Sequence, residues 1–392
     1  MKKIVITSAK RTAIGAFNGV LSQYTSPQLG SFAIKAVLED SKIDISFIDE
    51  VIMGNVLMAG QGQAPARQSA LLSGLPNKTE CMTINKMCGS GLKAVMLASQ
   101  AISCGDAEII IAGGQESMSN APYLLPKARN GYRLGHGELK DSILLDGLWE
   151  VYNDVHMGSC AESCARDFSF TREELDAFAI QSYKRSIEAT NSGRFLDEIY
   201  PITQVTKSGE IIINKDEEPE KVKFEKIPLL KPVFEKNGVV TAANASSIND
   251  GAAALLVMSE EKANELHLKP LVEIVAQSSA AKAPMEFTTA PADAITKVLR
   301  KSGLSLKDIG LFEINEAFAV VSLAVSKLLG LSTENVNVNG GAVSLGHPIG
   351  ASGARILVTL IHEMKRRKTE YGLASLCIGG GEASALIVKN IL

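Results

Sequence analysis

The chain has 392 residues, which predicts two or three domains at about 150 residues per domain. Hydrophobic residues make up 46% of the sequence, charged residues make up 21%, and the net charge is −3. This composition excludes wholesale disorder and lacks the basic excess of a general nucleic-acid binder. No apolar run approaches the roughly 20 residues of a membrane helix, so we expect no membrane span.

The chain opens with a basic start and a short apolar run, Ile4–Ile6. A secretory signal needs about seven to fifteen apolar residues, so this start predicts a cytoplasmic chain that begins with a β-strand. The six cysteines form no C-x-x-C pair and, with only five histidines, show no zinc-finger spacing. We expect no metal site and expect most of the cysteines to be reduced and buried.

An internal repeat is the main organising feature of the sequence. Four kinds of segment recur in the same order: a helix feeding a buried strand, a strand turning into a helix, an apolar strand ending in paired glycines, and a last apolar strand. This order predicts two similar α/β units related by a pseudo-twofold axis. The matching segments are 29–41 and 48–53 with 292–302 and 309–314, 82–85 and 89–103 with 336–339 and 350–364, 108–114 with 373–380, and 252–257 with 383–388.

The first half also contains an insertion, because its last strand is delayed by about 120 residues relative to the second half. This stretch, residues 120–241, is richer in charge, tyrosine and proline than its surroundings. We predict three domains: an N-terminal half formed by residues 1–119 and 242–269, an inserted loop domain at 120–241, and a C-terminal half at 270–392. Loop-rich insertions on a rigid scaffold often carry substrate recognition.

Two candidate chemical groups lie in the strand-to-helix turns of the two halves. Cys88 faces the N-terminus of a predicted helix, whose N–H groups and dipole favour a lowered thiol pKa and a thiolate nucleophile. The alternative is that Cys88 is a small buried hydrophobe. His347 lies in the glycine-dense turn of the second half, where internal symmetry would place it near Cys88. Its alternative role is that of a hydrogen-bonded structural histidine.

Two further candidates lie at the ends of strands in the second half. Cys377 ends an apolar strand just before three glycines, where its sulfur would emerge beside backbone N–H groups free to bind an oxyanion. By itself it also fits the hydrophobic core. Asn315 follows another strand, and capping of the next helix is a sufficient explanation for it.

Four motifs occur along the chain: Asn85-x-x-Cys88-Gly89-Ser90-Gly91, Asn315-Glu316-Ala317-Phe318-Ala319, Gly340-Gly341-Ala342-x-x-x-Gly346-His347-Pro348-x-Gly350 and Cys377-x-Gly379-Gly380-Gly381. Taken together, they resemble the motifs of the thiolases and occur in the order found in that family. Shorter stretches beginning at Gly113, His156, Lys231 and Asn249 also match, so the resemblance spans nearly the whole chain. It implies duplicated α/β/α halves with mixed five-stranded sheets related by a pseudo-twofold axis, plus an inserted loop domain.

The resemblance implies a ping-pong acyl transfer. Cys88, activated by His347, would accept an acyl group from one acyl-CoA and release CoA. Cys377 would then remove a proton from a second acetyl-CoA, and the resulting carbanion would attack the acyl-Cys88 carbonyl. His347, with a water positioned by Asn315, matches the family's donors to the enolate oxygen. The N–H groups of Cys88 and Gly379 match the second oxyanion site.

The activity implied in this way is that of an acetyl-CoA C-acetyltransferase, which reversibly condenses two acetyl-CoA molecules to acetoacetyl-CoA and CoA. A broader-range 3-ketoacyl-CoA thiolase is the alternative. The expected partners are acetyl-CoA, acetoacetyl-CoA and CoA, with no cofactor beyond these thioester substrates. A homotetramer, or alternatively a dimer, is also implied by the resemblance alone.

Eight positions match the family's CoA-binding residues, although ordinary packing also explains several of them. Lys221 is chosen to meet the CoA phosphates because Glu220 stands where relatives often carry arginine. Glu382 is a second departure, and a carboxylate there either raises the pKa of Cys377 or points to solvent. The eight positions are Leu148, His156, Met157, Lys221, Phe234, Ala243, Ser246 and Phe318.

Three rival functions remain. A decarboxylating ketoacyl synthase has a cysteine at the same turn but normally uses two histidines, where this chain has Asn315 and His347. A dinucleotide-binding oxidoreductase is disfavoured because no G-x-G-x-x-G follows the first strand. A non-catalytic lipid carrier of the same fold is disfavoured by the intact motifs.

Overall fold

The computed structural model describes residues 2–207 and 209–391, and its strands form one large sheet and three small ribbons. The strands are β1 (Ile4–Arg11), β2 (Gly15–Ala16), β3 (Glu50–Gly54), β4 (Glu80–Ile84), β5 (Ile109–Ser117), β6 (Tyr123–Leu124), β7 (Lys140–Asp141), β8 (Trp149–Glu150), β9 (Val155–His156), β10 (Ile202–Thr206), β11 (Gly209–Ile213), β12 (Asn249–Ser259), β13 (Val272–Ala281), β14 (Leu311–Ile314), β15 (Tyr371–Ile378) and β16 (Glu382–Asn390).

Ten α-helices are found in the described residues, together with short 3-10 turns and one π-helical turn at Ile143–Leu148. The α-helices are α1 (Ser26–Ser41), α2 (Pro65–Leu72), α3 (Ser90–Cys104), α4 (Met157–Asp167), α5 (Arg172–Asn191), α6 (Glu260–Glu265), α7 (Ala290–Ser302), α8 (Ala319–Leu329), α9 (Ala342–Leu345) and α10 (Ser352–Arg367).

The large sheet is built from two matching halves, as the internal repeat predicts. Its strand order is β14-β15-β16-β13-β1-β12-β5-β3-β4, and β2 adds a short pairing to β12. Within the first half β3 is parallel to β4 and β5, whereas β12 is antiparallel to β5 and β1. The second half repeats this pattern with β14 parallel to β15 and with β16 antiparallel to β15 and β13. The mixed α/β fold is therefore confirmed.

The pseudo-twofold axis passes between β1 and β13, which join the halves through the pairing of Val5 with Glu273. Both strands are interrupted at the same place, with a register shift between Ile6 and Ser8 in β1 and between Ile274 and Ala276 in β13. The halves therefore share even their irregularities.

The helices α3 and α10 meet across this axis in the middle of the molecule. A Cβ added to Gly91 would lie 2.7 Å from the nitrogen of Ala354, and one added to Gly353 would lie 2.5 Å from the nitrogen of Leu92. Two glycines thus allow reciprocal close contact of the helix backbones. Both helices belong to one core that also contains strand residues of both halves, while α1 and α7 cover separate cores.

The fifth strand predicted for the second half, at residues 336–339, is wrong in extent. Val336 forms a single parallel bridge with Phe312 of β14, and Val338 bridges only to nearby Gly340. Next to it the side chain of Asn337 replaces the backbone ladder: its Oδ1 accepts from the Ile314 N–H at 2.8 Å and its Nδ2 donates to the Ile314 carbonyl at 2.7 Å. Asn337 has φ 48°, which is incompatible with an extended strand.

The paired glycines that led us to match β5 with β15 do not occupy equivalent positions, although the strands themselves do. Gly113 pairs with Ala254 of β12, whereas Ser375 pairs with Ala385, the equivalent residue of β16 in the matched segments 252–257 and 383–388. On their other sides Gly113 and Ser375 pair with Met53 and Ile314. The position of Gly113 therefore corresponds to that of Ser375. Two residues further on, Gln115 corresponds to Cys377.

The insertion at residues 120–241 lies outside the large sheet. It contains the three small ribbons and the helices α4 and α5, so it is more helical than the loop-rich composition predicts. α5 packs against α8 and α9 of the second half. Within the described residues, no helix is long and apolar enough to cross a membrane.

Candidate active site

A small apolar cavity of about 90 Å³ lies where the two halves and the insertion meet. The first half contributes Cys88 to its wall, and the second half contributes His347 and Gly379. The predicted proximity of Cys88 and His347 is therefore confirmed. The strand-to-helix turns of the two halves converge because α3 and α10, which follow those turns, touch across the pseudo-twofold axis.

The turn that carries Cys88 connects β4 to α3 and is held by local hydrogen bonds. The Ser90 hydroxyl donates to the carbonyl of Met87 at 2.6 Å, and Met87 itself has φ 45°. Gly89 is needed on steric grounds, because a Cβ there would lie 2.3 Å from Cδ1 of Ile378. The turn therefore presents the thiol against the end of β15.

The pKa of Cys88 is raised to about 11, mainly by burial of the thiol. Hydrogen bonds from the N–H groups of Gly379 and of Cys88 itself act in the opposite direction, and the charge of Glu116 adds to the rise. The predicted thiolate is therefore wrong for the free protein, because desolvation outweighs the helix N-terminus. Cys88 is a neutral thiol whose sulfur faces two backbone donors.

The His347 side chain is oriented by Ser352, the first residue of α10. The Ser352 hydroxyl donates to the Pro348 carbonyl at 2.9 Å, and its oxygen lies 2.6 Å from Nδ1 of His347. Because a hydroxyl has one proton to donate, we assign the proton of this contact to Nδ1. Nε2 then keeps its lone pair, and it has no hydrogen-bond partner in the described part of the chain.

The pKa of His347 is lowered to about 3, first by burial and then by the positive charge of Arg355. The backbone of the turn is fixed by Asn249, whose Oδ1 accepts the His347 N–H at 2.8 Å. A neutral imidazole with a free Nε2 is a proton acceptor, so His347 and Cys88 have the protonation states of a general base and its thiol.

Cys377 lies in β15 and is fully buried. Its pKa is well above the usual range, first because of burial and then because of the neighbouring sulfur of Cys88. The charge of Cys88 therefore reaches Cys377 across the two halves, although Cys377 is not among the described residues that line the cavity. The glycines after β15 then turn the chain, with φ 90° at Gly380 and 88° at Gly381.

Glu382 points away from Cys377, which settles the choice left open by the sequence. Its carboxylate accepts a hydrogen bond from the Lys86 ammonium, and its charge is absent from the causes that raise the pKa of Cys377. The carboxylate is thus paired with the turn that carries Cys88.

Asn315 follows β14 and does not cap a helix, because α8 begins four residues later at Ala319 with Phe318 as its N-cap residue. Instead the Asn315 Nδ2 lies 3.5 Å from Nδ1 of His347. On its other side the Oδ1 lies 3.5 Å from the buried guanidinium of Arg355. Asn315 therefore belongs to the polar wall behind His347.

Six of the eight predicted CoA-binding residues line the cavity. The ring of His156 stacks on Phe234 at 4.7 Å between centroids, and Phe234 meets Phe318 edge to face at 6.2 Å. Ala243 and Lys221 are not among the described lining residues. Lys221 forms an ion pair with Glu217 at 2.7 Å instead. The six lining residues are Leu148, His156, Met157, Phe234, Ser246 and Phe318.

Several residues of the site were not found from the sequence. Phe287 and Ile349 line the cavity. Ser352 and Asn249 form hydrogen bonds with His347, and the charge of Arg355 lowers the pKa of His347. Arg355 could have been found from the sequence. An arginine at the start of the apolar segment of α10 is expected to be buried, and a buried charge requires polar partners. The others carry no local signal, because their partners are distant in sequence or common apolar residues.

No group of three or more His, Cys, Asp or Glu side chains that could hold a metal ion occurs in residues 2–207 and 209–391.

Comparison with known proteins identifies the family. Residues 4–261 match Thiolase, N-terminal domain, and residues 268–390 match Thiolase, C-terminal domain. An acetyl-CoA acetyltransferase of Pseudomonas aeruginosa is 52% identical over 392 residues, covering 100% of both chains.

Two solved structures have the same fold over the full chain. A thiolase of Ascaris suum in complex with coenzyme A is 44% identical, with a TM-score of 0.94 and 100% of both chains covered. The human mitochondrial 3-ketoacyl-CoA thiolase is 40% identical, with a TM-score of 0.96 and with 100% of this chain and 99% of that chain covered. The chain therefore belongs to the thiolase family.

Proposed function

We propose that this thiolase is an acetyl-CoA C-acetyltransferase that reversibly condenses two molecules of acetyl-CoA to acetoacetyl-CoA and CoA. The observation that carries the proposal is the meeting of Cys88, Gly379 and the neutral imidazole of His347 at one cavity. Cys377 is buried near enough for the Cys88 charge to act on it. The relative at 52% identity bears the same activity in its name.

In the first half-reaction Cys88 attacks the thioester carbonyl of acetyl-CoA. Nε2 of His347 accepts the thiol proton as the sulfur–carbon bond forms, and the protonated imidazole returns it to the departing CoA sulfur. The tetrahedral intermediate places negative charge on oxygen. The N–H groups of Cys88 and Gly379, which already converge on the sulfur, would donate to that oxygen.

In the second half-reaction Cys377 accepts a proton from the methyl group of a second acetyl-CoA. Its thiolate must form before this step, and Nε2 of His347, neutral again after release of the first CoA, accepts the Cys377 thiol proton. The imidazolium returns this proton to the Cys88 sulfur when the carbon–carbon bond has formed. His347 and a water held by Asn315 would stabilise the enolate oxygen. The carbanion then attacks the acetyl carbonyl, so that a carbon–carbon bond forms and the Cys88–acetyl bond breaks.

The chemical reason for a cysteine at the position of Cys377 is its tunable basicity. A buried thiol with a raised pKa is a strong base once deprotonated, which is what removal of a proton next to a thioester requires. Cys377 is packed in the hydrophobic core of the second half, which shields its sulfur from water. The base is thereby protected from competing protonation by solvent.

The apolar wall of the cavity suits the acyl end and the adjacent pantetheine of a CoA thioester. Its small volume of about 90 Å³ favours a short acyl group, and we therefore place the broader-range 3-ketoacyl-CoA thiolase second. That alternative is supported by the 40% identical human enzyme. We keep Ala243 and Lys221 as proposed CoA contacts outside the cavity.

We also propose the division into two halves and an inserted domain at residues 120–241, a homotetrameric assembly and a cytoplasmic location. The division is supported by the sheet, whose strands all come from outside the insertion. The assembly is inferred from the family resemblance, and the location is supported by the 52% identical relative from Pseudomonas aeruginosa.

Two single substitutions test the assignment. After incubation with acetyl-CoA, we expect Cys377→Ala to gain the mass of one acetyl group and to release CoA, but to form no acetoacetyl-CoA. We expect Cys88→Ala to gain no mass and to release no CoA. Cys104→Ala serves as the matched control, because Cys104 is exposed at the far end of α3 and should behave as wild type. Equal acetylation of the Cys88 and Cys377 variants would refute the assignment.

A further inference from the structure

An ion pair joins the two turns that carry the proposed catalytic groups. Lys86 lies two residues before Cys88, and Glu382 lies three residues after Gly379. The Lys86 ammonium donates to Oε2 of Glu382, and the two side chains are 23% and 38% exposed. The partners are 296 residues apart and belong to different halves of the fold.

Each of the two turns is rigid by itself. In the first, the N–H of Lys86 donates to the Ser90 hydroxyl at 2.8 Å. In the second, Gly380 and Gly381 adopt positive φ, and the Gly381 carbonyl accepts from the N–H of Lys282 at 2.8 Å. Because the turns are internally fixed, their relative position depends on the contacts between them.

The contacts between the turns are of unequal character. Gly89 packs on Ile378, a contact that is apolar and non-directional. The Gly379 N–H donates to the Cys88 sulfur, which is a weak acceptor. The ion pair is a charge-assisted hydrogen bond, which is about twice as strong as a neutral one and is directional. It is therefore the contact best suited to set the spacing of the turns.

This spacing matters for the proposed chemistry, because the two oxyanion donors come from different turns. One is the N–H of Cys88 and the other is the N–H of Gly379. Loss of one such donor lowers rates by about 10²–10³-fold in comparable sites, and a misplacement of about 1 Å costs up to about 10²-fold. A small shift of one turn against the other would weaken both donors together.

We propose that Lys86 and Glu382 are positioning residues, whose ion pair holds the Cys88 turn against the Gly379 turn and so aligns the two oxyanion donors. Neither residue lines the cavity, so neither touches the acyl group there. This inference rests on the proposed acyl transfer to Cys88. It differs from a purely stabilising surface ion pair in that it predicts an effect on the rate of acyl transfer.

The test compares Lys86→Met, Glu382→Gln and the exchanged pair Lys86→Glu with Glu382→Lys. The matched control is Lys93→Met, because Lys93 also lies near the Glu382 charge but forms no recorded hydrogen bond to it within residues 2–207 and 209–391. For each protein, the rate of acetylation by acetyl-CoA is measured in single turnover at low and high salt, together with KM and the midpoint of thermal unfolding.

We expect each single substitution to lower the acetylation rate about tenfold, with KM changed less than about twofold, because positioning acts on the transition state. The exchanged pair should recover most of the lost rate. Added salt should slow the wild type and the control but not the single variants, since a half-exposed ion pair is screened. Thermal unfolding should change little in every variant.

The inference is overturned if the single variants acetylate as fast as Lys93→Met, or if the exchanged pair is no faster than the singles while all remain folded. A large loss of thermal stability that accounts for the lost rate would also overturn it. Failure of the wild type to acetylate at all would instead refute the proposed function. The two failures are therefore distinguishable.

Discussion

The two halves of the sheet place different side chains at equivalent backbone positions. Gln115 and Cys377 occupy the same register position in β5 and β15. The Gln115 side chain accepts a hydrogen bond from the Ser69 hydroxyl at 2.6 Å and thereby ties β5 to α2. Cys377 instead lies within electrostatic reach of the Cys88 sulfur.

The positions one residue after β3 Met53 and β14 Ile314 differ in the same way. In the first half this residue is Gly54, where a Cβ would lie 2.5 Å from the Cβ of Ser90. In the second half it is Asn315, which reaches the ring of His347. The first half thus supplies the nucleophile and one oxyanion donor, and the second half supplies His347, Asn315 and the other donor, the Gly379 N–H.

His347 has a proposed role in both half-reactions. We expect His347→Gln to lower acetylation of Cys88 and the later condensation, each by about 10²–10⁴-fold, because the amide cannot accept and return a proton. Single-turnover mass spectrometry measures the first step, and acetoacetyl-CoA formation measures the whole reaction.

The comparison for this variant is Cys377→Ala, which should acetylate at the wild-type rate. If His347→Gln acetylates normally and loses only condensation, His347 serves the second half-reaction alone, and another group must activate Cys88.

The pH dependence of Cys88 tests whether the nucleophile is a neutral thiol. Because its pKa is about 11, the thiolate fraction rises about tenfold for each pH unit below that value. His347 has a pKa of about 3 and stays neutral throughout, so it adds no step above pH 5. In Cys377→Ala, alkylation of Cys88 by iodoacetamide should therefore accelerate steadily from pH 7 to pH 10.

A thiolate–imidazolium pair would behave differently in the same experiment. It would give a rate that is already maximal near neutral pH and changes little above it. The alkylated protein is measured by mass spectrometry. Such a plateau would show that the pKa of Cys88 is lowered in solution despite the burial of its thiol.

The fold was largely predictable, because long apolar segments in a repeated order report the buried strands and helices directly. The strand expected at residues 336–339 failed, since the side chain of Asn337 competes for the backbone groups of Ile314. The predicted equivalence of the paired glycines in β5 and β15 was wrong, because each glycine is required by its own local steric environment. Gly113 and Gly114 allow close backbone contact within the core, whereas Gly380 and Gly381 provide a turn.

The meeting of Cys88 and His347 in one cavity was also predictable from symmetry. Their protonation states were not, because burial depends on the completed tertiary packing and here outweighs the local helix dipole. The support of His347 by Asn249, 98 residues away, likewise has no local signature. The partner of Glu382 could not be chosen from the sequence, since Lys86 becomes its neighbour only when the two halves dock.

The unequal roles of the glycine pairs lead to the prediction of smallest size, which concerns stability. A Cβ at Gly114 would lie 2.1 Å from the Gly350 carbonyl oxygen, a backbone atom that cannot move aside. We expect Gly114→Ala to lower the free energy of unfolding by about 3 kcal/mol. Gly380→Ala meets no atom within 4 Å but must adopt φ 90°, so its cost should be about 1 kcal/mol. Urea unfolding followed by the single tryptophan, Trp149, measures both, and equal losses would contradict the unequal roles of the two glycines.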